Sequence, residues 1–432
     1  MFKSIKNIDR IDLLCAFSIF TTVMVLQSIL ANIWAEKGIF DQYEIIFDSD
    51  PNEWLLFYST GYGFESLQHP LANYIVSPFL RIIEKICSIF GMVEDSEAFK
   101  LTLSLYVAPF VTALKAVTFY TIFRLLNIAW LQALLASAIA SLAFSSVVFG
   151  ATPESYPISG FAFALLILCA ICVVMFDTKI AKFSLYATSI LAIGATLSNV
   201  IFVGWTMWFI NHRKGFSLFS SWYRAVFSSG IILIITIVMS LVAQKAVSEL
   251  RSEEPINHDT NTLEFLASYV PPTKVKIEKF YRFPEMVAKS IIPTFPGHNP
   301  DSQVFKFDMP IKIEFSYLKN EYDIWSLIYT IMTIFLIGGG CKIAHQIEGN
   351  WKSLAVSSLA ALGTYWAFYT WFGLSMFLYS QNWYVPSILL LASWLNKPTF
   401  SSTHGILLLS SVVIALTIAN LITLNFINGQ FA

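Results

Sequence analysis

The sequence predicts an all-α integral membrane protein with about eleven transmembrane helices and one external loop insert. Composition is the first observation, since 56% of the 432 residues are hydrophobic and only 13% are charged. Soluble domains carry roughly 25% charged residues, and the mean hydropathy of +0.64 is typical of a chain whose solvent is lipid. The other observations are a series of apolar runs of spanning length and the placement of Lys and Arg between them.

The first apolar run, 11–32, follows a basic segment that carries Lys3, Lys6 and Arg10. The N-terminus is therefore predicted to be cytoplasmic. Ten further spans are predicted at 101–123, 129–150, 157–176, 183–197, 199–211, 225–244, 323–341, 353–372, 376–395 and 404–425. With these spans the short loops that contain Lys and Arg all face the cytoplasm, and the C-terminus lies outside.

Segment 70–92 is long enough to span, but Arg81, Glu84 and Lys85 interrupt it. Its apolar residues share one helical face, so we expect an amphipathic helix lying in the membrane interface. A crossing here would reverse every later loop and break the charge pattern. The chain is thus predicted to divide into an N-terminal transmembrane core (1–244) with an acidic external loop (33–100), an external insert (245–322) and C-terminal transmembrane helices (323–432).

The first external loop contains a cluster of polar side chains directly after the first span. Asp48 and Asp50 are one residue apart, and Glu65 and His69 follow. Polar groups at a membrane edge cost free energy, so the cluster favours a functional site. A plainer interpretation stays open, because acidic loops beside membrane helices are often solvated and Asp-Ser-Asp-Pro is an ordinary helix start.

The same topology places other polar residues on the outer side, where they can converge with the first loop. These further candidates are Glu154, Tyr156, Asn199, Arg282, His298, Tyr379 and Gln381. Arg282 and its neighbours Lys274 and Lys279 belong to the insert and could meet a phosphate. The net charge of −1 gives no indication of nucleic-acid binding, and no phosphate-binding glycine loop or metal-spaced His pair occurs.

Several short motifs resemble those of bacterial polytopic glycosyltransferases of the GT-C class, which take sugars from polyprenyl-phosphate carriers. The motifs are F-D-x-D at 47–50, H-P-L at 69–71 followed by P-F at 78–79, P-E-S-Y at 153–156, T-L-S-N at 196–199 and F-L-Y-S at 377–380. Size and layout also resemble the serotype-converting O-antigen glucosyltransferases. Two features that often accompany the family motifs are absent, a basic residue before H-P-L and an acidic residue before F-L-Y-S.

The resemblance implies a GT-C-like fold and an inverting transferase of the bacterial inner membrane. Such an enzyme moves a sugar from a polyprenyl-phosphate donor to a cell-surface glycan or lipid-linked acceptor, such as lipopolysaccharide O-antigen, on the periplasmic side. It implies Asp50 or Asp48 as the general base. We expect Asp50, because Pro51 favours an extended backbone that fixes its direction, with Asp48 orienting the site or binding a divalent metal. The other candidates would bind substrate, and no further cofactor is implied.

A transporter or flippase for a lipid-linked sugar or another solute is the alternative function. A transporter is expected to bury ionisable residues or broken helices in the middle of the membrane. The carboxylates of this sequence are predicted to lie at one membrane face instead. Their placement favours the transferase.

Overall fold

The computed structural model describes residues 10–41, 47, 49–60, 69–91, 96–251, 270–292, 301–303, 312–314, 324–346, 349–373, 376–397 and 402–431. Three of the predicted site residues, Asp48, Glu65 and His298, lie outside these ranges.

Within these ranges the chain is almost entirely helical, which confirms the predicted all-α class. The helices are α1 (Arg10–Glu36), α2 (Pro51–Thr60), α3 (Ala72–Ile89), α4 (Ser96–Leu105), α5 (Val107–Leu125), α6 (Trp130–Leu142), α7 (Phe144–Ala151), α8 (Ser155–Phe176), α9 (Lys179–Ala195), α10 (Val200–Arg213), α11 (Leu218–Arg251), α12 (Thr273–Ile291), α13 (Ile324–Gln346), α14 (Asn350–Trp371), α15 (Ser380–Ala392) and α16 (Thr403–Gln430). Two three-residue strands, β1 (Asp301–Gln303) and β2 (Lys312–Glu314), pair antiparallel in the insert.

Five helical segments are long and apolar enough to cross a membrane, namely α1, the consecutive α4 and α5, α8, α11 and α16. Helices α6 and α7 meet at a bend of 65° and form a sixth candidate if they are one broken span. The chain is therefore a multi-pass helical membrane protein. A helix also lies at each of the other predicted spans. The count of eleven crossings, the GT-C-like fold and the cytoplasmic N-terminus stay predictions.

Helix α3 has the amphipathic character that the sequence predicts for segment 70–92. Val76 and Leu80 are buried against α2, whereas the charged residues Arg81 and Lys85 are exposed. Helix α3 is not among the helices that are apolar enough to cross. Its position in the membrane interface stays a prediction.

Helix α8 lies at the centre of the bundle, where it packs against α5, α9, α10 and α15. The bundle also includes α12, although α12 belongs to the predicted insert. Phe283 of α12 stacks on Trp366 with ring centroids 6.1 Å apart, and Trp383 Nε1 donates a hydrogen bond of 2.8 Å to Ser290 Oγ. The insert therefore supplies part of the protein core close to the F-L-Y-S motif.

Candidate functional site

A cavity of about 330 Å³ lies where the predicted motifs meet. Its lining combines residues of the H-P-L, P-E-S-Y, T-L-S-N and F-L-Y-S motifs with apolar residues of α11 and α14. The motif residues in the lining are His69, Tyr156, Thr196, Leu197, Ser198 and Tyr379. Segments separated by more than 300 residues of sequence thus contribute to one wall.

Two carboxylate residues lie together beside this cavity. Glu154 caps the N-terminus of α8, where its Oε1 accepts the Ser155 N–H at 3.0 Å. Its Oε2 accepts the Asp50 N–H at 3.2 Å, and its carbonyl accepts the Tyr58 hydroxyl at 2.9 Å. The structure therefore brings together two of the predicted site residues, Asp50 and Glu154, across 104 positions of sequence.

Glu154 is only 3% exposed, and this burial is the main cause that raises the pKa of its carboxyl to about 8. The negative charge of Asp50 raises the pKa further, while the hydrogen bonds from Ser155 and Asp50 oppose the shift. Glu154 is accordingly protonated at neutral pH. A buried neutral acid next to a second carboxylate is an arrangement typical of sites that transfer protons.

His69 links the first loop to the ends of α8 and α9. Its Nδ1 lies 2.7 Å from the Ala195 carbonyl oxygen and 2.8 Å from Ser155 Oγ. Because a carbonyl only accepts, we infer that Nδ1 carries the proton and that Nε2 keeps a lone pair. Removal from water lowers the pKa of His69 to about 4, against the opposing effect of the Ala195 hydrogen bond. His69 is therefore neutral at pH 7.

Tyrosine rings form the wall that faces His69. Tyr156 contacts His69 edge to face at 5.8 Å between ring centroids and contacts Tyr379 in the same way at 5.8 Å. Tyr379 stacks on Tyr369 at 4.7 Å. The Tyr369 hydroxyl lies 3.1 Å from Ser198 Oγ. This wall offers aromatic faces, and its exposed surface is almost wholly apolar, because the Tyr369 and Ser198 hydroxyls bond to each other and to the Asn382 amide.

Asn199 lies behind the wall and not in the cavity lining. Its Nδ2 donates to Ser159 Oγ at 2.6 Å and to the Ala192 carbonyl at 2.7 Å. Both amide protons are thus used inside the bundle. In this conformation Asn199 bonds to a carbonyl near the end of α9.

Gln381 and Arg282 also lie outside the cavity lining. Gln381 Oε1 accepts a hydrogen bond of 2.9 Å from Lys115 Nζ, in the interior of the bundle. Arg282 forms ion pairs with Glu285 at 3.0 Å and Glu278 at 3.6 Å, and Lys289 pairs with Glu285 at 2.6 Å. The cations on this part of α12 therefore already have carboxylate partners.

Lys279 also has acceptors within the bundle. It donates to the carbonyls of Gly373 and Tyr369, and burial lowers its pKa to about 8. It thereby holds the turn that precedes the F-L-Y-S motif. Its predicted contact with a phosphate stays a prediction.

Among the described residues, no three His, Cys, Asp or Glu side chains come together to hold a metal ion. Asp48, Glu65 and His298 fall outside that search. The metal role considered for Asp48 stays a prediction.

Lys115 is a site neighbour that the sequence analysis missed. It is the only charged residue between positions 101 and 123, so a search for ionisable residues inside apolar runs would have found it. Asn382 was also missed, although its amide donates to the Tyr369 hydroxyl. No sequence signal distinguishes Asn382 from any other polar residue near a helix start.

No protein-family model matches the chain, and no curated protein is significantly similar to it.

Proposed function

We propose that the protein is an inverting glycosyltransferase of the bacterial inner membrane. It moves a sugar from a polyprenyl-phosphate donor to a cell-surface glycan or lipid-linked acceptor on the periplasmic side. The observation that supports this proposal is a cavity lined by residues of four separate motifs. The Asp50–Glu154 pair is connected to this lining through Ser155, whose Oγ lies 2.8 Å from His69 Nδ1. The cavity volume lies at the lower end of the roughly 300–1,000 Å³ usual for small-molecule sites, which suits a single sugar ring.

In the proposed reaction the acceptor hydroxyl oxygen attacks the anomeric carbon of the donor sugar. The bond between that carbon and the phosphate oxygen breaks, and the lipid phosphate leaves with the electron pair. The hydroxyl proton passes to Asp50, which acts as the general base. Neutral Glu154 remains beside Asp50 and does not compete for the proton. Attack opposite the leaving phosphate inverts the configuration at the anomeric carbon.

Replacement of Asp50 by Asn tests this assignment. Loss of a general base costs about 10²–10⁴-fold in rate, so Asp50→Asn should nearly abolish sugar transfer. The measurement is radiolabelled sugar transfer from a panel of polyprenyl-phosphate sugars, with purified protein in proteoliposomes.

Asp41→Asn is the matched control, because Asp41 is an exposed carboxylate of the same loop and should keep wild-type activity. Near-normal transfer by a folded Asp50→Asn protein would remove Asp50 from the mechanism. No transfer by the wild type from any donor in the panel would remove the proposed function.

A flippase or transporter for a lipid-linked solute is the second candidate, and two observations favour it. Lys115 is buried within a helical segment that is a candidate membrane span, and α6 and α7 form a broken helix with a 65° bend. Both features are typical of transport pathways. Movement of a fluorescent polyprenyl-phosphate sugar between leaflets, measured in proteoliposomes without acceptor, separates this function from transfer.

A further inference from the structure

Lys115 lies in the interior of the helical bundle, on α5. Its side chain is 2% exposed. Its Nζ donates to Gln381 Oε1 at 2.9 Å and lies 4.7 Å from the centre of the Tyr384 ring. These contacts use only part of the capacity of an ammonium group, which has three donor protons.

No carboxylate oxygen of a described residue lies within ion-pair distance of Lys115. Arg282 and Lys289 are also buried, but both form ion pairs with Glu285. A buried cation costs several kcal/mol unless a negative group compensates it. Lys279 is likewise buried without an ion pair among the described residues, but two backbone carbonyls accept hydrogen bonds from it. Lys115 differs in that Gln381 Oε1 is its one hydrogen-bond acceptor among the described residues.

A neighbouring amide adds a further donor without an acceptor. Gln381 is fully buried, and its Nε2 has no hydrogen-bond partner. A buried amide N–H without an acceptor is unfavourable. The Gln381 amide and the remaining donor protons of Lys115 therefore favour a ligand that accepts hydrogen bonds.

The backbone makes room for the Gln381 side chain next to Lys115. A Cβ at Gly160 would collide with Gln381 Oε1 and would lie 3.5 Å from Lys115 Cδ. Gly160 follows Tyr156 by one helical turn, and Gln381 follows Tyr379 by two residues. Since Tyr156 and Tyr379 both line the cavity, the Lys115–Gln381 pair lies within one helical turn of lining residues on both helices.

We propose that Lys115 and Gln381 form an anion-binding site near the cavity. The ligand chemistry is a phosphate oxyanion, whose oxygens accept from the Lys115 ammonium and the Gln381 amide. Its source is either a free phosphate ion or the phosphate of an isoprenoid lipid. The lipid source rests on the proposed function, whereas anion binding itself does not.

The test is ligand binding by the purified full-length protein in detergent, measured by calorimetry. The probes are geranyl phosphate, geraniol and inorganic phosphate. Charge-assisted hydrogen bonds contribute about 1.5–3 kcal/mol, so the wild type should bind geranyl phosphate roughly 10-fold or more tightly than geraniol. Inorganic phosphate that binds as tightly as geranyl phosphate would assign the site to the free ion.

Lys115→Met should lose the preference for the phosphate, and Lys115→Arg should keep it. Gln381→Glu gives a second variant, since a carboxylate beside Lys115 forms an ion pair that excludes an anion and keeps the pair compensated. Lys276→Met is the control, because the Lys276 ammonium lies over the Trp371 ring on another helix. It should bind like the wild type.

An unchanged preference in folded Lys115→Met or Gln381→Glu protein would overturn the site, and so would a wild type that binds geraniol and geranyl phosphate equally. Sugar transfer is measured separately on the same preparations. Anion binding without any transfer by the wild type would retain the site and reject the proposed function. Transfer without anion binding at Lys115 would retain the proposed function and reject the site.

Discussion

Protonation of Glu154 should make the stability of the protein fall as the pH rises. The ordinary pKa of its carboxyl is 4.5, and burial together with the Asp50 charge raises it to about 8 in the folded protein. The folded state therefore binds the proton more tightly than the unfolded state. The stabilisation is complete below pH 4.5, decreases through the window from pH 4.5 to pH 8, and is lost above it.

The difference between the two pKa values corresponds to at most about 5 kcal/mol, since one pKa unit is about 1.36 kcal/mol. About 4 kcal/mol of this stabilisation is lost between pH 5 and pH 9. Unfolding entropies of about 2.1 cal/mol/K per residue give about 0.9 kcal/mol/K for this chain. The apparent Tm should thus decrease by about 4 °C from pH 5 to pH 9 through this group alone.

The variant that isolates the effect is Glu154→Gln, which keeps the side chain uncharged at every pH. It replaces one of two accepting oxygens, with a cost of about 1 kcal/mol for one hydrogen bond. Its Tm should therefore be about 1 °C below the wild type at pH 5 and about 3 °C above it at pH 9. Asp50→Asn should show an intermediate slope, because burial remains when the neighbouring charge is removed.

The assay is thermal unfolding of the detergent-solubilised protein, followed by intrinsic tryptophan fluorescence at several pH values. Asp41→Asn, which removes an exposed carboxylate, should keep the wild-type slope. Two outcomes would refute the reasoning. One is a wild-type Tm that stays constant or increases from pH 5 to pH 9, and the other is an unchanged slope in Glu154→Gln.

Two further predictions concern the turn that precedes the F-L-Y-S motif and the membrane topology. Lys279→Met removes the donor to the Gly373 and Tyr369 carbonyls and should reduce sugar transfer roughly 10-fold by loosening that turn. The exposed Lys352→Met is its control, and equal activity of the two variants would contradict the positioning role. In a protein without its native cysteines, Asp41→Cys should react with an impermeant maleimide from the periplasmic side, while Arg213→Cys should be protected. The opposite pattern would reverse the predicted orientation.

The helices could be predicted from the sequence because each consists of a long apolar run, and lipid exposure makes such runs nearly continuous. The spacing of charged residues on α12 can also be read from the sequence. Arg282 follows Glu278 by four positions and precedes Glu285 by three, which are the separations that form ion pairs on a helix. The burial of α12 in the bundle could not be predicted from the sequence, because its partners Trp366 and Trp383 come from helices about 90 residues later.

The site itself was predictable only in its parts. Asp50, His69, Glu154, Tyr156 and Tyr379 each belong to a short motif, and the structure brings all five to one region. Their contacts depend on how α2, α8, α9 and α15 pack, which local patterns do not determine. Gln381 shows the limit clearly, since its partner Lys115 lies 266 residues away in sequence.

The plainer interpretation of these motifs, as helix starts, is also correct, and it strengthens the functional one. Asp50 immediately precedes α2, Glu154 precedes α8, and Tyr379 precedes α15; His69 and the 196–199 turn come just before α3 and α10. Five helix N-termini therefore lie in the cavity region, each with a partial positive charge. At α8 the Ser155 N–H is already accepted by Glu154. Such a concentration of helix N-termini stabilises negative charge. Residues that begin helices thus also create an electrostatic environment that would favour a phosphate leaving group. The same residues therefore serve both helix capping and the proposed chemistry.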